Sequence, residues 1–161
     1  MRIGVISDTH GLLRPEALEA LEGSGHILHA GDIGDPAILA ALARIAPVVA
    51  IRGNNDTDGW ARRVPETKTV ELGGVRIHLV HDIKSLREVP RGVEVVVSGH
   101  SHQPRIAEEG GVLHLNPGSA GPRRFRLPVT VARLTIALGK ARAEIVELEV
   151  APPKRPARAP H

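Results

Sequence analysis

Five short polar clusters, each directly behind an apolar run, constrain this chain more than any other feature. Asp8-Thr9-His10 follows the apolar residues 2–7, and Gly31-Asp32-Ile33-Gly34-Asp35 follows residues 27–30. Gly53-Asn54-Asn55-Asp56 follows residues 48–51, His81-Asp82 follows residues 75–80, and Gly99-His100-Ser101-His102 follows residues 93–98. Apolar runs of this length between turn residues read as buried strands. In open α/β sheets, ligands gather outside the carboxyl ends of the strands. Strands far apart in sequence would therefore deliver these clusters to one rim.

The rest of the pattern supplies the frame. Pro15 opens a helix in which Leu18 and Leu21 share a face, and Asp35-Pro36 provides an N-cap and first-turn proline for a helix burying Ile38, Leu39, Leu42 and Ile45. Short strands joined by amphipathic helices predict parallel pairing with right-handed crossovers over the first third. Beyond it the strands are many and the helices few. Residues 67–72 and 75–80 flank Gly73-Gly74, a hairpin signal. Further strands are expected over residues 105–108, 112–115, 129–137 and 142–150, with one short helix over 82–88. The expectation is an α/β protein built as a layered sandwich of two sheets, mostly antiparallel in the second half, with helices outside.

The polar clusters carry a consistent chemistry. Asp8 and Asp32 offer carboxylates, His10, His81, His100 and His102 offer imidazoles, and Asn54 offers a carboxamide. Such a mixed nitrogen and oxygen donor set suits manganese, zinc, iron or nickel better than calcium. Seven ligands are too many for one ion and suit two, with one carboxylate shared. Two divalent ions against two aspartates leave a positive centre, which attracts a phosphate ester and stabilises charge building on its oxygens.

Composition narrows the alternatives. There is no cysteine, so disulfides and thiolate metal sites are excluded. No run is apolar enough for a membrane-spanning helix, and the N-terminal residues lead into a strand without a signal-peptide layout, which gives the expectation of a cytoplasmic protein. The net charge of +3 comes from Lys154, Arg155 and Arg158 in the proline-rich residues 151–161, and without them acidic and basic residues balance at 18 each. A neutral body with only Trp60 and Phe125 as aromatics argues against a dedicated nucleic-acid surface. The division expected is one domain over residues 1–150 and a basic tail over 151–161.

In order along the chain, Asp8-x-His10, Gly31-Asp32, Gly53-Asn54-x-Asp56, His81 and Gly99-His100-x-His102 resemble the signature of the calcineurin-like metallophosphoesterases. Asn116-Pro117-Gly118-Ser119 narrows the resemblance to the small phosphodiesterases of the YfcE-like group. The resemblance implies a four-layer αββα sandwich of two mixed sheets flanked by helices. It implies that Asp8, His10 and His102 hold one ion and Asn54, His81 and His100 the other, with Asp32 bridging. Manganese or nickel would be the activating ion, and phosphodiesters the substrates, attacked by a metal-bridging hydroxide.

The chain departs from the family at two positions. Asn55 stands where many members carry a histidine thought to protonate the leaving group, and asparagine cannot act as a general acid. Asp82 stands where small relatives usually have glycine; it would orient His81 or cap the short helix, and capping is the favoured expectation. Asp56 is expected to fix the Gly53–Asn55 turn, Arg52 and Arg123 are candidate phosphate contacts, and Asn116 is a candidate for the site rim, as Asn54 is for the phosphate. His26, His29, His78, His114 and His161 are left out of the site, His29 being the one expected closest to it.

The expected partner is a small phosphoester, with nucleotides included, and a homo-oligomer stays open. The competing functions are a non-catalytic scaffold of the same fold that binds partner proteins, and a phosphomonoesterase or nuclease acting on small nucleotides.

Overall fold

The computed structural model describes residues 1–124 and 126–150. Phe125 and the basic tail 151–161 lie outside the described residues, as does His161. Among the described residues, ten strands form two five-stranded sheets. The first sheet holds β1 (Arg2–Ile6), β2 (His26–His29), β3 (Val48–Ala50), β9 (Thr130–Ala137) and β10 (Lys140–Glu147) in the order β10-β9-β1-β2-β3. The second holds β4 (Thr67–Leu72), β5 (Val75–Val80), β6 (Val95–Val97), β7 (Arg105–Glu109) and β8 (Val112–Asn116) in the order β4-β5-β6-β8-β7. Both sheets are mixed. The parallel core β1-β2-β3 is extended by antiparallel β9 and β10.

The antiparallel pairing expected in the second half is present at β4–β5, β7–β8 and β9–β10. The central strands of the second sheet, β5, β6 and β8, run parallel instead; strands such as β5 and β6 that are buried on both faces are characteristic of parallel pairing. The final hairpin joins the first sheet, with β9 beside β1 in register Ile3 to Leu134 and Val5 to Ala132.

The core between the sheets contains Ile3, Val5, Leu28, Ala30 and Leu134 from one side and Val75, Ile77, Leu79, Val95, Val97 and Leu115 from the other. A second cluster lies under α1 (Pro15–Leu21) and α2 (Pro36–Ala43), where Ala17, Leu21, Ile38 and Leu42 pack on Ile6, Ile27 and Val131. Gly4 allows that packing, because a Cβ there would lie 2.6 Å from Leu21 Cδ2. It is thus a close approach inside β1, not a strand-end turn. Pro15 opens α1, and Asp35 caps α2 by accepting from Ala37 N at 2.8 Å.

On the outer face of the second sheet, Val80, Val93 and Val96 are covered by Leu86 and Val89. The segment that does this contains a single 3-10 turn, Ile83–Ser85, so the short helix expected over 82–88 is one turn long. A second 3-10 turn, Gly59–Arg63, was not anticipated from the sequence. None of the helices among the described residues is long and apolar enough to cross a membrane.

Candidate metal centre

The strands β1, β2, β3, β5 and β6 all deliver their carboxyl-end loops to one rim, and those loops interlock through the backbone. Asp8 N donates to Gly31 O at 3.0 Å, His10 N to Asp32 O at 2.9 Å, and Gly99 N to His81 O at 2.9 Å. Asp8, His10, Asp32, His100 and His102 adopt positive φ angles of 55, 46, 54, 70 and 62°. Left-handed backbone at a residue other than glycine costs about 1–3 kcal/mol each and persists where the surroundings over-determine it. Among the described residues the sixth such residue is Leu138, in the tight turn between β9 and β10. The strain is therefore concentrated on the proposed ligands.

The side chains converge in two groups, Asp8 with His10 and His102, and Asp32 with His81 and His100. His102 Nε2 lies 3.3 Å from Asp8 Oδ1, His81 Nε2 lies 3.2 Å from Asp32 Oδ2, and His10 Nε2 lies 3.7 and 3.8 Å from the two carboxylates. His81 Nε2 also lies 3.8 Å from Asp8 Oδ1, so the groups are contiguous. Several of these separations are too long for hydrogen bonds. His10 Nε2 and His102 Nε2 face each other at 3.2 Å, a contact at which only one of two neutral rings can donate.

Whether these residues fit metal ions is answered by two buried atoms. Asp8 Oδ1 and His81 Nε2 lack a hydrogen-bond partner. An unpaired buried acceptor and an unpaired ring nitrogen side by side are unfavourable unless a cation sits between them. The donors are oxygen and imidazole nitrogen, a set that suits divalent transition ions. The residues fit.

Hydrogen bonds set the charge state of the carboxylates. Burial pushes the Asp8 carboxyl up, but the adjacent His102, the Ser7 hydroxyl and the charge of His81 more than offset it, holding it below the ordinary carboxylate range. Asp32 is likewise pushed up by burial, then brought down to about 2 by His81 and the Asn55 amide. Burial lowers the His10 imidazole, helped by His102 and Arg124 and opposed by Asp32 and Asp8. At His81 burial is outweighed by the adjacent Asp32 carboxylate and the bond to Ala30 O, and its basicity rises. Both aspartates are thus ionised across the neutral range.

The surrounding residues explain how the donors are held. Asn55 donates from its backbone N at 2.9 Å to Asp32 Oδ1 and from Nδ2 at 3.1 Å to Oδ2. Asn55 thus clamps both oxygens of the Asp32 carboxylate. Asp56 accepts from Ile33 N, Gly34 N and Gly53 N, fixing the turn that carries Asn54. His81 Nδ1 is bonded to Ala30 O at 2.7 Å, which leaves Nε2 for the site. Asn116 is buried in the wall of a cleft beside His100, where Nδ2 donates to Gly99 O and Ser101 Oγ and braces the loop carrying His100 and His102. Ser119 Oγ donates to Asp8 O.

Asp82 does cap the 3-10 turn, accepting from Lys84 N at 3.0 Å. Its other oxygen lies 3.8 Å from His100 Nε2, so the neighbouring imidazole is His100 rather than His81. Asn54 is exposed and lines a cleft with His81 and His100. Arg52 lines the same cleft, with its guanidinium bonded to Ala61 O, Val64 O and Glu66. Arg123 is exposed; it is Arg124, not singled out in the sequence, whose charge acts on His10. His78 bonds Thr69 on the second sheet and His114 lies near Glu109, both apart from the two groups.

His29 lies close to the site but is saturated. Gly31 N donates to Nδ1, so the proton is on Nε2 and is donated to Thr9 Oγ1, which donates to Ile33 O. Burial pushes its pKa down to about 4. A lowered histidine means that the unfolded chain binds the proton first, so this contribution is intact above about 6.5 and is lost as pH falls toward 4. At pH 5 the loss is about 2 kcal/mol. Urea unfolding of metal-free protein at pH 7 and pH 5 should show that extra acid sensitivity in the wild type and not in His29→Gln. Identical pH dependence would contradict it.

A two-sheet sandwich with paired aspartate and histidine groups on its strand-end loops defines the metallophosphoesterase class. The chain belongs to the calcineurin-like phosphoesterase superfamily, whose domain matches residues 1–139. It is 39% identical over 160 residues to the "Probable metallophosphoesterase" of Methanothermobacter thermautotrophicus, covering 91% of this chain and 92% of that one. It is 28% identical to a phosphodiesterase of Methanocaldococcus jannaschii, covering 73% and 83% of the two chains. Among solved structures it is similar to YfcE, a phosphoesterase from E. coli (25% identity, TM-score 0.67, 84% and 88% covered). It shares its fold with Vps29 of Chaetomium thermophilum (20% identity, TM-score 0.72, 92% and 97% covered).

Proposed function

We propose that this chain is a phosphodiesterase that works with two divalent metal ions, manganese first among them and nickel, zinc or iron as alternatives. Asp8, His10 and His102 hold one ion, Asn54, His81 and His100 the other, and Asp32 is shared. The observation that carries this reading is the pair of unpartnered buried atoms, Asp8 Oδ1 and His81 Nε2, within 3.8 Å of each other. When bound, the ions supply a positive centre for the phosphoryl oxygens and a water acidic enough to act at neutral pH. The chain's own residues position that chemistry. Asn55 keeps the Asp32 carboxylate fixed, and the Asn116 and Asp56 bonds keep the ligand loops from relaxing.

Asn55 also sets the range of substrates. With its amide bonded to Asp32 and unable to protonate an alkoxide, the site depends on leaving groups that depart unassisted. Diesters of nitrophenol should therefore be hydrolysed at least about 100-fold faster than alkyl diesters, since general acid catalysis contributes at least that much. Equal rates on aryl and alkyl diesters would refute this.

The fold shared with Vps29 makes a protein-binding scaffold the second reading. The full donor set speaks for catalysis, because a scaffold has no use for five strained ligand residues. A titration of metal-free protein with manganese, nickel, zinc and iron(II), followed with bis(p-nitrophenyl) phosphate and p-nitrophenyl phosphate, tests the two. Metal-dependent turnover of the diester supports the phosphodiesterase, and metal binding without turnover of either ester supports the scaffold.

A further inference from the structure

Two clefts meet at the metal centre. The first, about 290 Å³, is lined by Arg52, Asn54, Thr67, His81 and Ser85, and the second, about 660 Å³, by Lys84, Ser101, Gln103, Arg105 and His114. Asp82 and His100 belong to both, so they form the ridge from which the clefts diverge. A phosphodiester carries two organic groups that leave the phosphorus in different directions, and a monoester carries one. The larger cleft falls within the roughly 300–1,000 Å³ typical of small-molecule sites.

Its charge and chemistry select what it takes. The walls hold two carboxylates, Asp82 and Glu109, and two cations, Lys84 and Arg105. Arg105 is paired with Glu109 at 3.4 Å, and His114 lies 4.0 Å from the same carboxylate. The cleft is therefore neutral, and a second phosphate there would gain no excess of positive charge. The Ser101 hydroxyl, Gln103 amide and His114 ring offer hydrogen bonds beside the apolar surface of Ile83, Pro104 and Leu115. The lining includes no Phe, Tyr or Trp, and the His114 ring is the flat surface a base could lie against.

We infer that the cleft between the Ile83–Ser85 turn and the β7–β8 hairpin is a subsite for an uncharged, hydroxyl-bearing ester substituent such as a nucleoside. This rests on the phosphodiesterase reading, and it adds the position and character of one substituent. Gln103 is exposed and lines the cleft, so Gln103→Trp should narrow it without disturbing the core.

The test compares thymidine 5′-(p-nitrophenyl phosphate), the same ester carrying a 3′-phosphate, and methyl p-nitrophenyl phosphate. The wild type should prefer the thymidine ester over the methyl ester by about tenfold in kcat/KM, the yield of two or three added hydrogen bonds. The 3′-phosphate should bring no gain. In Gln103→Trp the preference should collapse toward unity through KM. Saturation-transfer NMR of thymidine with metal-free protein should show contact in the wild type and its loss in the variant. Equal kcat/KM for the thymidine and methyl esters, a preference untouched by Gln103→Trp, or absence of saturation transfer would overturn the subsite. Failure to hydrolyse any ester would instead defeat the phosphodiesterase reading, and the NMR result would still decide whether thymidine binds.

Discussion

Replacing Asp32 by asparagine is expected to lower kcat/KM on bis(p-nitrophenyl) phosphate by about a thousandfold and to reduce bound metal from two ions per chain to one. The carboxylate lies 3.2 Å from His81 Nε2 and 3.8 Å from His10 Nε2, so it faces a ligand of each group. It is ionised because Asn55 and His81 hold it far below the ordinary range against the effect of burial. A neutral amide of the same shape keeps the packing and removes the charge that both ions would share. The thousandfold loss corresponds to about 4 kcal/mol, the several kcal/mol that a metal centre contributes to phosphoryl transfer. Metal content by mass spectrometry, turnover, and thermal unfolding in chelator check it together. Full activity with two ions retained would show that Asp32 is not the shared ligand, and a collapsed melting temperature in chelator would assign its role to folding instead.

The second large effect is expected at Gly53, on packing grounds. A Cβ there would collide with Asp32 Oδ1 and with the Asp32 backbone N, and would come within 2.8 Å of Asp32 Cγ. Neither neighbour can give way, because Gly53 N is bonded to Asp56 and the Asp32 backbone to His10 N. Gly53→Ala should destabilise metal-free protein by about 2–3 kcal/mol, as overpacking of a tight site does. It should also remove most of the added stability that metal binding confers, since Asp32 is displaced from its ligand position. Urea unfolding with chelator and with saturating manganese separates the two effects. Gly59→Ala, where a Cβ would meet open space, serves as the control and should stay within about 0.5 kcal/mol of the wild type. A neutral result at Gly53 would mean that the loops are softer than their hydrogen bonds indicate.

Much of this centre was legible along the chain. The six charged or imidazole donors fall into two spatial groups, and they come from loops whose strands the apolar runs predicted. The capping role of Asp35, the turn-fixing role of Asp56 and the exclusion of His78 and His114 also follow from local pattern. Less legible were the contributions that depend on what lies across space. Asn55 looked like a missing acid, and its clamp on Asp32 became visible only when the loops after β2 and β3 were adjacent. Asp82 was set beside His81 by sequence order, yet it faces His100. Asn116 lines the cleft beside His100, as a rim residue would, and its bracing of the His100–His102 loop is visible only in three dimensions.

By itself, the order of residue types determined the donor chemistry, the strand-end placement of each cluster, and the absence of thiolate ligands, because these properties belong to single residues and short apolar periods. Only the tertiary structure decided which loops become neighbours. The parallel placement of β5 and β6 puts His81 and His100 at the same end of one sheet. The left-handed backbone at Asp8, His10, Asp32, His100 and His102 was decided there as well. Aspartate and histidine tolerate it better than most residues, but it is held by hydrogen bonds between loops remote in sequence, whose partners a linear pattern does not contain.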